Sequence, residues 1–184
     1  MQPPSHDPTV QIRPCLPTDI PAITAIYGNA VLHGRASFEL TPPDEAEMAA
    51  RRDRLVAAGY PYIVATREGT VAGYAYASPY RPRPAYDATL ENSVYVAEQC
   101  QGCGIGKLLL SALIQRATEC DFRQMIAVIG DSANHASIKL HEALGFRHVG
   151  TLRSVGWKHG MWLDTVLMQR PLGSGDARPG RLRP

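Results

Sequence analysis

The sequence predicts a mixed α/β fold, a mostly antiparallel sheet of about seven strands with about four helices on both faces. Two observations predict it. Apolar residues recur at helical spacing in four segments, while other short apolar runs read as strands. Their order is strand, two helices, three strands, helix, strand, helix, two strands, which mixes hairpins with crossovers over a single sheet.

Each element has a local reason. Val10 to Arg13 reads as the first strand. Pro17, Thr18 and Asp19 then signal a helix start, Ile20, Ile23, Tyr27 and Val31 carry its apolar face, and Gly34 stops it. A second helix is expected with Thr41 as cap, Pro42 in the first turn, and Asp44 and Glu45 where the helix dipole favours acids, running to about Gly59. Tyr62 to Thr66 and Val71 to Ala77 read as a hairpin around Glu68-Gly69, and Thr89 to Val96 as the next strand. A third helix places Ile105, Leu108, Leu109, Ala112 and Leu113 on one face. Met125 to Ile129 is a short buried strand, Asn134 to Leu144 a helix ended by Gly145, and Phe146 to Leu152 and Trp162 to Met168 are the closing strands.

At 184 residues the chain has room for one domain, expected over residues 10–171 with flexible tails at 1–9 and 172–184. A net charge of +2 gives no reason to expect a nucleic-acid or anionic-membrane partner. No apolar run approaches the roughly 18 residues of a membrane span, and the N-terminus lacks a signal-peptide pattern, so a cytoplasmic location is expected. Cys15, Cys100, Cys103 and Cys120 are too few for a disulfide scaffold. Cys100 and Cys103 form a CxxC, but no second ligand pair stands near it, and no metal is expected.

The strongest local signal is ENSVYVAEQCQGCGIGKLLLSALI, an apolar strand running into Gln101, Gly102, Gly104 and Gly106 and directly into an amphipathic helix. Glycines let backbone N–H groups approach a diphosphate, and the helix N-terminus adds partial positive charge. A plain tight turn is the competing reading. A Walker loop is excluded because Gly106-Lys107-Leu108 lacks the magnesium-binding hydroxyl. A dinucleotide fold is excluded because the loop comes mid-chain, after antiparallel hairpins.

Gln101-x-x-Gly104-x-Gly106 after Ser93 to Val96, followed by Asn134-x-x-Ser137 and Leu144-Gly145-Phe146, resembles the GNAT N-acetyltransferase superfamily from about Val10 to Pro171. YRPRPAY, LENSVYV, FRQMIAVIGDSANHASIKLHEALGF and GWKHGMWLDTVLMQR are similar to the phosphinothricin and methionine sulfoximine acetyltransferases. The resemblance implies the GNAT fold, acetyl-CoA as co-substrate, a small-molecule amine acceptor and a homodimer. It implies that Gln101, Gly102, Cys103, Gly104, Ile105, Gly106 and Lys107 hold the pyrophosphate. Val94, Tyr95 and Val96 would pair with the pantetheine arm, and Asn134 and Ser137 would border the cofactor.

Acetyl transfer to an amine benefits from a base, and the resemblance puts Glu91 in that role, three residues before Val94. Asn134, Ser137 and His141 share one helical face, within about 60° of one another. The resemblance aligns His141, five residues before Phe146, with a residue that protonates the departing thiolate; packing is its alternative role. Arg81 and Arg83, beside Tyr80, form either a carboxylate clamp or a solvated turn, and the resemblance favours Arg81 as a substrate contact. Phe38 and Trp162 either wall the acceptor pocket or fill the core. Phe38, Tyr80, Arg81, Arg83, Glu91, Asn92 and Ser93 complete the expected acceptor site. The expected reaction is direct transfer to the α-amine of a small amino-acid-like acceptor in a ternary complex. Acetylation of a protein lysine or N-terminus, and a non-catalytic acyl-CoA-binding module, are the alternatives.

Overall fold

The computed structural model describes residues 10–179, so the expected N-terminal tail at 1–9 lies outside the described residues. A single seven-stranded sheet runs in the order β1-β2-β3-β4-β5-β7-β6. Its strands are β1 (Val10–Pro14), β2 (Tyr62–Arg67), β3 (Thr70–Pro79), β4 (Thr89–Val96), β5 (Gln124–Gly130), β6 (Arg147–Lys158) and β7 (Met161–Pro171). All pairings are antiparallel except β4 with β5. The helices are α1 (Ile20–His33), α2 (Glu45–Ala57), α3 (Ile105–Glu119) and α4 (His135–Ala143).

Two cores lie on the two faces of this sheet. On one, Ile20, Ile23, Tyr27 and Val31 of α1 and Met48 of α2 pack on Tyr62, Val64 and Tyr74. On the other, Leu109, Leu110 and Leu113 of α3 pack on Ile63, Ala75 and Leu90, with Ile138 and Leu140 of α4 against the same cluster. Strand alternation is the cause, since neighbouring residues of β2, β3 and β4 point to opposite faces.

Several local expectations are revised. The cap of α2 is Asp44, whose carboxylate accepts from the Glu47 N–H at 2.8 Å, because the helix begins at Glu45, beyond the reach of Thr41. On α3, Leu108 is 46% exposed, and Leu110 and Ile114 join the buried stripe. The closing hairpin is longer than expected. Positive φ at both His159 and Gly160 makes the two-residue turn that joins β6 to β7, as at Glu68-Gly69 between β2 and β3. The expected tail from 172 begins inside the fold, where Leu172 is 1% exposed and its N–H donates to the Arg123 carbonyl. An apolar side chain at the end of β7 gains more by burial than by solvation. Among the described residues no helix is long and apolar enough to cross a membrane.

Candidate active site

The site begins where two strands part. β4 and β5 pair in parallel from Thr89↔Gln124 only as far as Asn92↔Ala127. Beyond that point β4 stays paired with β3 to Val96, and β5 with β7 to Gly130, so the sheet opens into a fork. A groove of about 400 Å³ fills the fork, bordered by Ser93, Val94, Tyr95 and Val96, by Ala127 to Gly130, by Gln101, Gly102, Gly104, Ile105 and Gly106, and by Asn134, Ser137 and His141.

At the mouth of the groove, Gly102 and Gly104 both take positive φ, and a Cβ at either would meet nothing within 4 Å. Glycine is required there by the backbone conformation, and the space above the loop is open. Gly104 caps α3 and its carbonyl accepts from the Lys107 and Leu108 N–H groups, at 3.0 and 3.2 Å, so the N–H groups that precede them at the helix start are the ones the helix leaves available to an anion. Gly106 lies close to Leu140 and Val96, locking the start of α3 against α4 and β4. Lys107 and Cys103 are exposed beside the loop, and the Gln101 side chain donates to the Val96 carbonyl at 3.4 Å. A loop of this shape, opening onto two unpaired strand edges, fits the diphosphate and extended arm of acetyl-CoA.

α4 supplies the inner wall. Asn134 is its N-cap and accepts from the Ser137 N–H at 3.2 Å, so the expected cofactor contact is also the residue that starts the helix. Gly145, at φ 82°, ends it: the Gly145 N–H donates to the Glu142 carbonyl and the Phe146 N–H to the His141 carbonyl, both at 3.0 Å. This stop brings the Phe146 ring edge-on to His141, with centroids 4.9 Å apart. His141 is 4% exposed, its Nε2 3.0 Å from Asn92 Oδ1 and its Nδ1 2.8 Å from the Ser137 carbonyl. Burial lowers the pKa of this imidazole, and the Ser137 carbonyl opposes the shift.

The expected acceptor residues divide between the two faces of β4. Tyr74↔Tyr95, Tyr76↔Ser93 and Ser78↔Glu91 are cross-strand partners, so Glu91, Ser93 and Tyr95 share the α1/α2 face. Tyr62, Tyr74, Tyr76 and Tyr95 form an aromatic row there, with centroid separations from 5.1 to 6.2 Å. Burial raises the pKa of Glu91. Ser93 hydrogen-bonds the Tyr76 phenol, whose pKa is raised mainly by burial and further by nearby Glu91. Asn92 points the other way, and the strand's period of two separates it from Glu91 and Ser93.

Phe38 sits in a slot made by two glycines, since a Cβ at Gly156 would meet its ring at 2.4 Å and one at Gly130 at 3.0 Å. Trp162 neither fills the core nor walls the groove. It is 62% exposed and meets Trp157 at 5.2 Å, because the start of β7 lies beyond its pairing with β5, which begins at Thr165, and has only the edge strand β6 beside it. Arg81 and Arg83 are exposed after β3, with the Arg81 guanidinium 5.2 Å from the Tyr80 ring centre and Tyr86 edge-on to Tyr80. Neither arginine pairs with a carboxylate among the described residues. Sequence reasoning missed Lys158, 3% exposed, whose Nζ donates to the Ser37 carbonyl at 2.7 Å and ties down the loop that carries Phe38. The pair is 121 residues apart, a separation that no local sequence pattern spans.

The profile of the Acetyltransferase (GNAT) family matches residues 30–146. A phosphinothricin N-acetyltransferase of Alcaligenes faecalis is 56% identical over 86% of this chain and 80% of its own length. An L-methionine sulfoximine/L-methionine sulfone acetyltransferase of Pseudomonas paraeruginosa is 41% identical over 93% of this chain and 99% of its own. A GNAT superfamily phosphinothricin acetyltransferase from Sinorhizobium meliloti, crystallised with acetyl-CoA, superposes with a TM-score of 0.91 at 50% identity, covering 94% of each chain. With the forked sheet, the glycine loop at the start of α3 and relatives at these identities, this chain belongs to the GNAT acetyltransferase family.

Proposed function

We propose that this enzyme moves the acetyl group of acetyl-CoA directly onto the α-amine of a small amino-acid-like acceptor of phosphinothricin or methionine sulfoximine type. The observation that carries the proposal is the placement of Glu91, a carboxylate with a pKa raised by burial, on the acceptor face of the strand whose next residue ends the β4–β5 pairing. The names of the similar enzymes support the acceptor class.

The thioester lies in the fork, with its diphosphate on the Gly102 to Lys107 loop and its arm along the free edge of Val94 to Val96. The amine enters from the α1/α2 face, and Glu91 takes its proton, directly or through one water. The amine nitrogen then attacks the acetyl carbonyl, the C–S bond breaks, the nitrogen sheds its second proton to solvent as the amide forms, and the thiolate leaves as free thiol once protonated from the His141 side of the groove. No covalent enzyme intermediate is needed. Arg81 and Arg83, which pair with no carboxylate among the described residues, are available to hold the acidic group of the acceptor, with Tyr80 beside them.

A second copy of the chain covers β6 in this reading. Val149, Leu152, Val155, Trp157, Met161 and Trp162 are all exposed on the edge hairpin, a larger apolar display than solitary surface residues make. The catalytic unit runs from Val10 through Leu172, and the reading calls for a cytoplasmic location, with neither nucleic acid nor membrane as partner.

The test is an acceptor screen with acetyl-CoA, read by thiol release. Phosphinothricin, methionine sulfoximine and methionine sulfone should be acetylated, and their carboxamides poorly. Activity confined to peptide amines would overturn the acceptor class. Light scattering should give a dimer mass that Trp162→Asp reduces to a monomer.

A further inference from the structure

The segment between α1 and α2 crosses the open end of the fork. It leaves α1, which packs on the β2, β3 and β4 half of the sheet, and its next contacts are with the other half. His159 Nε2 is 3.2 Å from the Gly34 carbonyl, and the Arg35 guanidinium donates to the Asp131 carboxylate at 3.3 Å. The Ser37 carbonyl accepts from Lys158 Nζ at 2.7 Å, and the Phe38 ring lies in the slot between Gly130 and Gly156. The chain then returns to α2, where Glu39 pairs with Arg51 at 2.6 Å.

Three residues of this segment reach the site. Ala36 borders the groove, and Phe38 meets Gly130, which borders it too. Glu39 lies within electrostatic reach of Tyr27 and Tyr76, and Tyr76 hydrogen-bonds Ser93, two residues beyond Glu91. The ties made by Arg35 and His159 are exposed and compete with water, whereas Lys158 is 3% exposed and Ser37 6%. Lysine is rarely buried to this degree without a partner, and a methionine would fill the space without the cost of burying an ammonium. We infer that Lys158 is a positioning residue of the acceptor site: by holding the Ser37 carbonyl it keeps residues 34–39 strapped across the fork, and so fixes Phe38 and Glu39 as walls of the acceptor pocket.

The rest of the segment reinforces the same position. The Ser37 hydroxyl is 3.0 Å from the Tyr27 phenol oxygen and accepts from the Glu39 N–H at 3.2 Å, so Ser37 joins α1, the strap and the β6–β7 turn at one residue. Glu39 adds a longer-range attraction for the Lys158 ammonium. Among the described residues, 34–39 share no hydrogen bond or ion pair with the Gly102 to Lys107 loop. The kinetic consequence rests on the acetyl-transfer reading above: releasing the strap should weaken the acceptor and leave acetyl-CoA in place.

Trypsin reads the strap without any turnover, because Arg35 is exposed and stands within it. Cleavage after Arg35, followed by mass spectrometry of the full chain, should be slow in the wild type. It should be about tenfold faster in Lys158→Met, an apolar side chain of similar length that cannot donate. Lys158→Gln, whose amide can still donate to the Ser37 carbonyl, should recover part of the protection. In the thiol-release assay Lys158→Met should raise the acceptor KM about tenfold with the KM for acetyl-CoA nearly unchanged, and Lys158→Gln should again recover part of it. A lysine with a merely structural role would lower the melting temperature and leave the ratio of the two KM values as it is. Wild-type cleavage in folded Lys158→Met, or equal changes in both KM values, overturns the assignment. In the wild type, an acceptor found by the screen, added with free CoA so that nothing can react, should slow cleavage after Arg35 further. Absence of that protection overturns the assignment as well, and this measurement needs no variant to fold. Absence of thiol release from every acceptor would sink the acetyl-transfer reading, whereas the strap then stands or falls on the cleavage rates of wild type and Lys158→Met.

Discussion

The two faces of β4 carry different kinds of chemistry on alternate residues of one strand. Leu90, Asn92, Val94 and Val96 face α3 and α4, where the groove is built from backbone N–H groups, glycines and one hydrogen-bonded Asn–His pair. Glu91, Ser93 and Tyr95 face α1 and α2 among tyrosines, and the one acid of the strand has its pKa raised by burial. The cofactor face is made of shape and fixed dipoles, so damage there should appear as lost binding or misplaced groups. The α1/α2 face is made of side chains that titrate or hydrogen-bond, so under the proposed function damage there should appear in pH profiles and acceptor constants.

The sharpest way to break this division is Glu91→Gln. The amide cannot take the amine's proton, and kcat should fall by about 10² to 10⁴ at neutral pH while acetyl-CoA affinity stays put. The wild-type rate should decline as pH drops through the Glu91 pKa, which burial has moved above the ordinary carboxylate value of about 4.3. That limb should vanish in the variant, with part of the rate returning at high pH. A stopped thiol assay across pH decides it, and an unaltered profile removes Glu91 from the mechanism.

On the opposite face, Gly104→Val forces a β-branched residue to a φ of 78° at the cap of α3 and fills the open space above the loop. Losing one charge-assisted N–H contact to the diphosphate is worth roughly 1.5–3 kcal/mol, so acetyl-CoA should bind about tenfold to a hundredfold more weakly. Calorimetry, with circular dichroism to show that the fold survives, would measure this; wild-type affinity would remove the loop from the cofactor site.

Arg81→Ala tests how far the acceptor face extends. The acceptor KM should rise by about tenfold for acids and little for their carboxamides, and Arg81→Lys should recover only part of it. Equal discrimination by variant and wild type would make Arg81 a surface residue. Ser93→Ala should have the smallest effect, a loss of about two- to tenfold in kcat/KM for the acceptor from one neutral hydrogen bond to Tyr76. A change in acetyl-CoA affinity instead would mean that the two faces are not independent.

The parts of the site that were legible are local in the chain. The glycine loop could be read because its glycines, the strand before it and the helix after it are contiguous, and so could the helical alignment of Asn134, Ser137 and His141. The resemblance alone puts Glu91 forward as a base, and its face and pKa shift are visible only with β3 and α1 in place. Asn92 was grouped with Glu91 and Ser93 because consecutive letters look adjacent, although a strand turns them to opposite sides. The α2 cap slipped from Thr41 to Asp44 within one short run of capping residues, where only the observed hydrogen bond chooses.

The sequence by itself determined the order of elements, the positions of the helix stops at Gly34 and Gly145, the turn at Glu68-Gly69 and the loop that opens α3, because periodicity, capping and positive φ act over a few residues. Only the tertiary structure decided where β4 leaves β5, which nitrogen of His141 meets Asn92, how Gly130 and Gly156 seat Phe38, and that Lys158 reaches Ser37. Those contacts join residues 49 and 121 positions apart for the two hydrogen bonds, and pairings that close loops of this length depend on the whole sheet and its two cores, which no local pattern records.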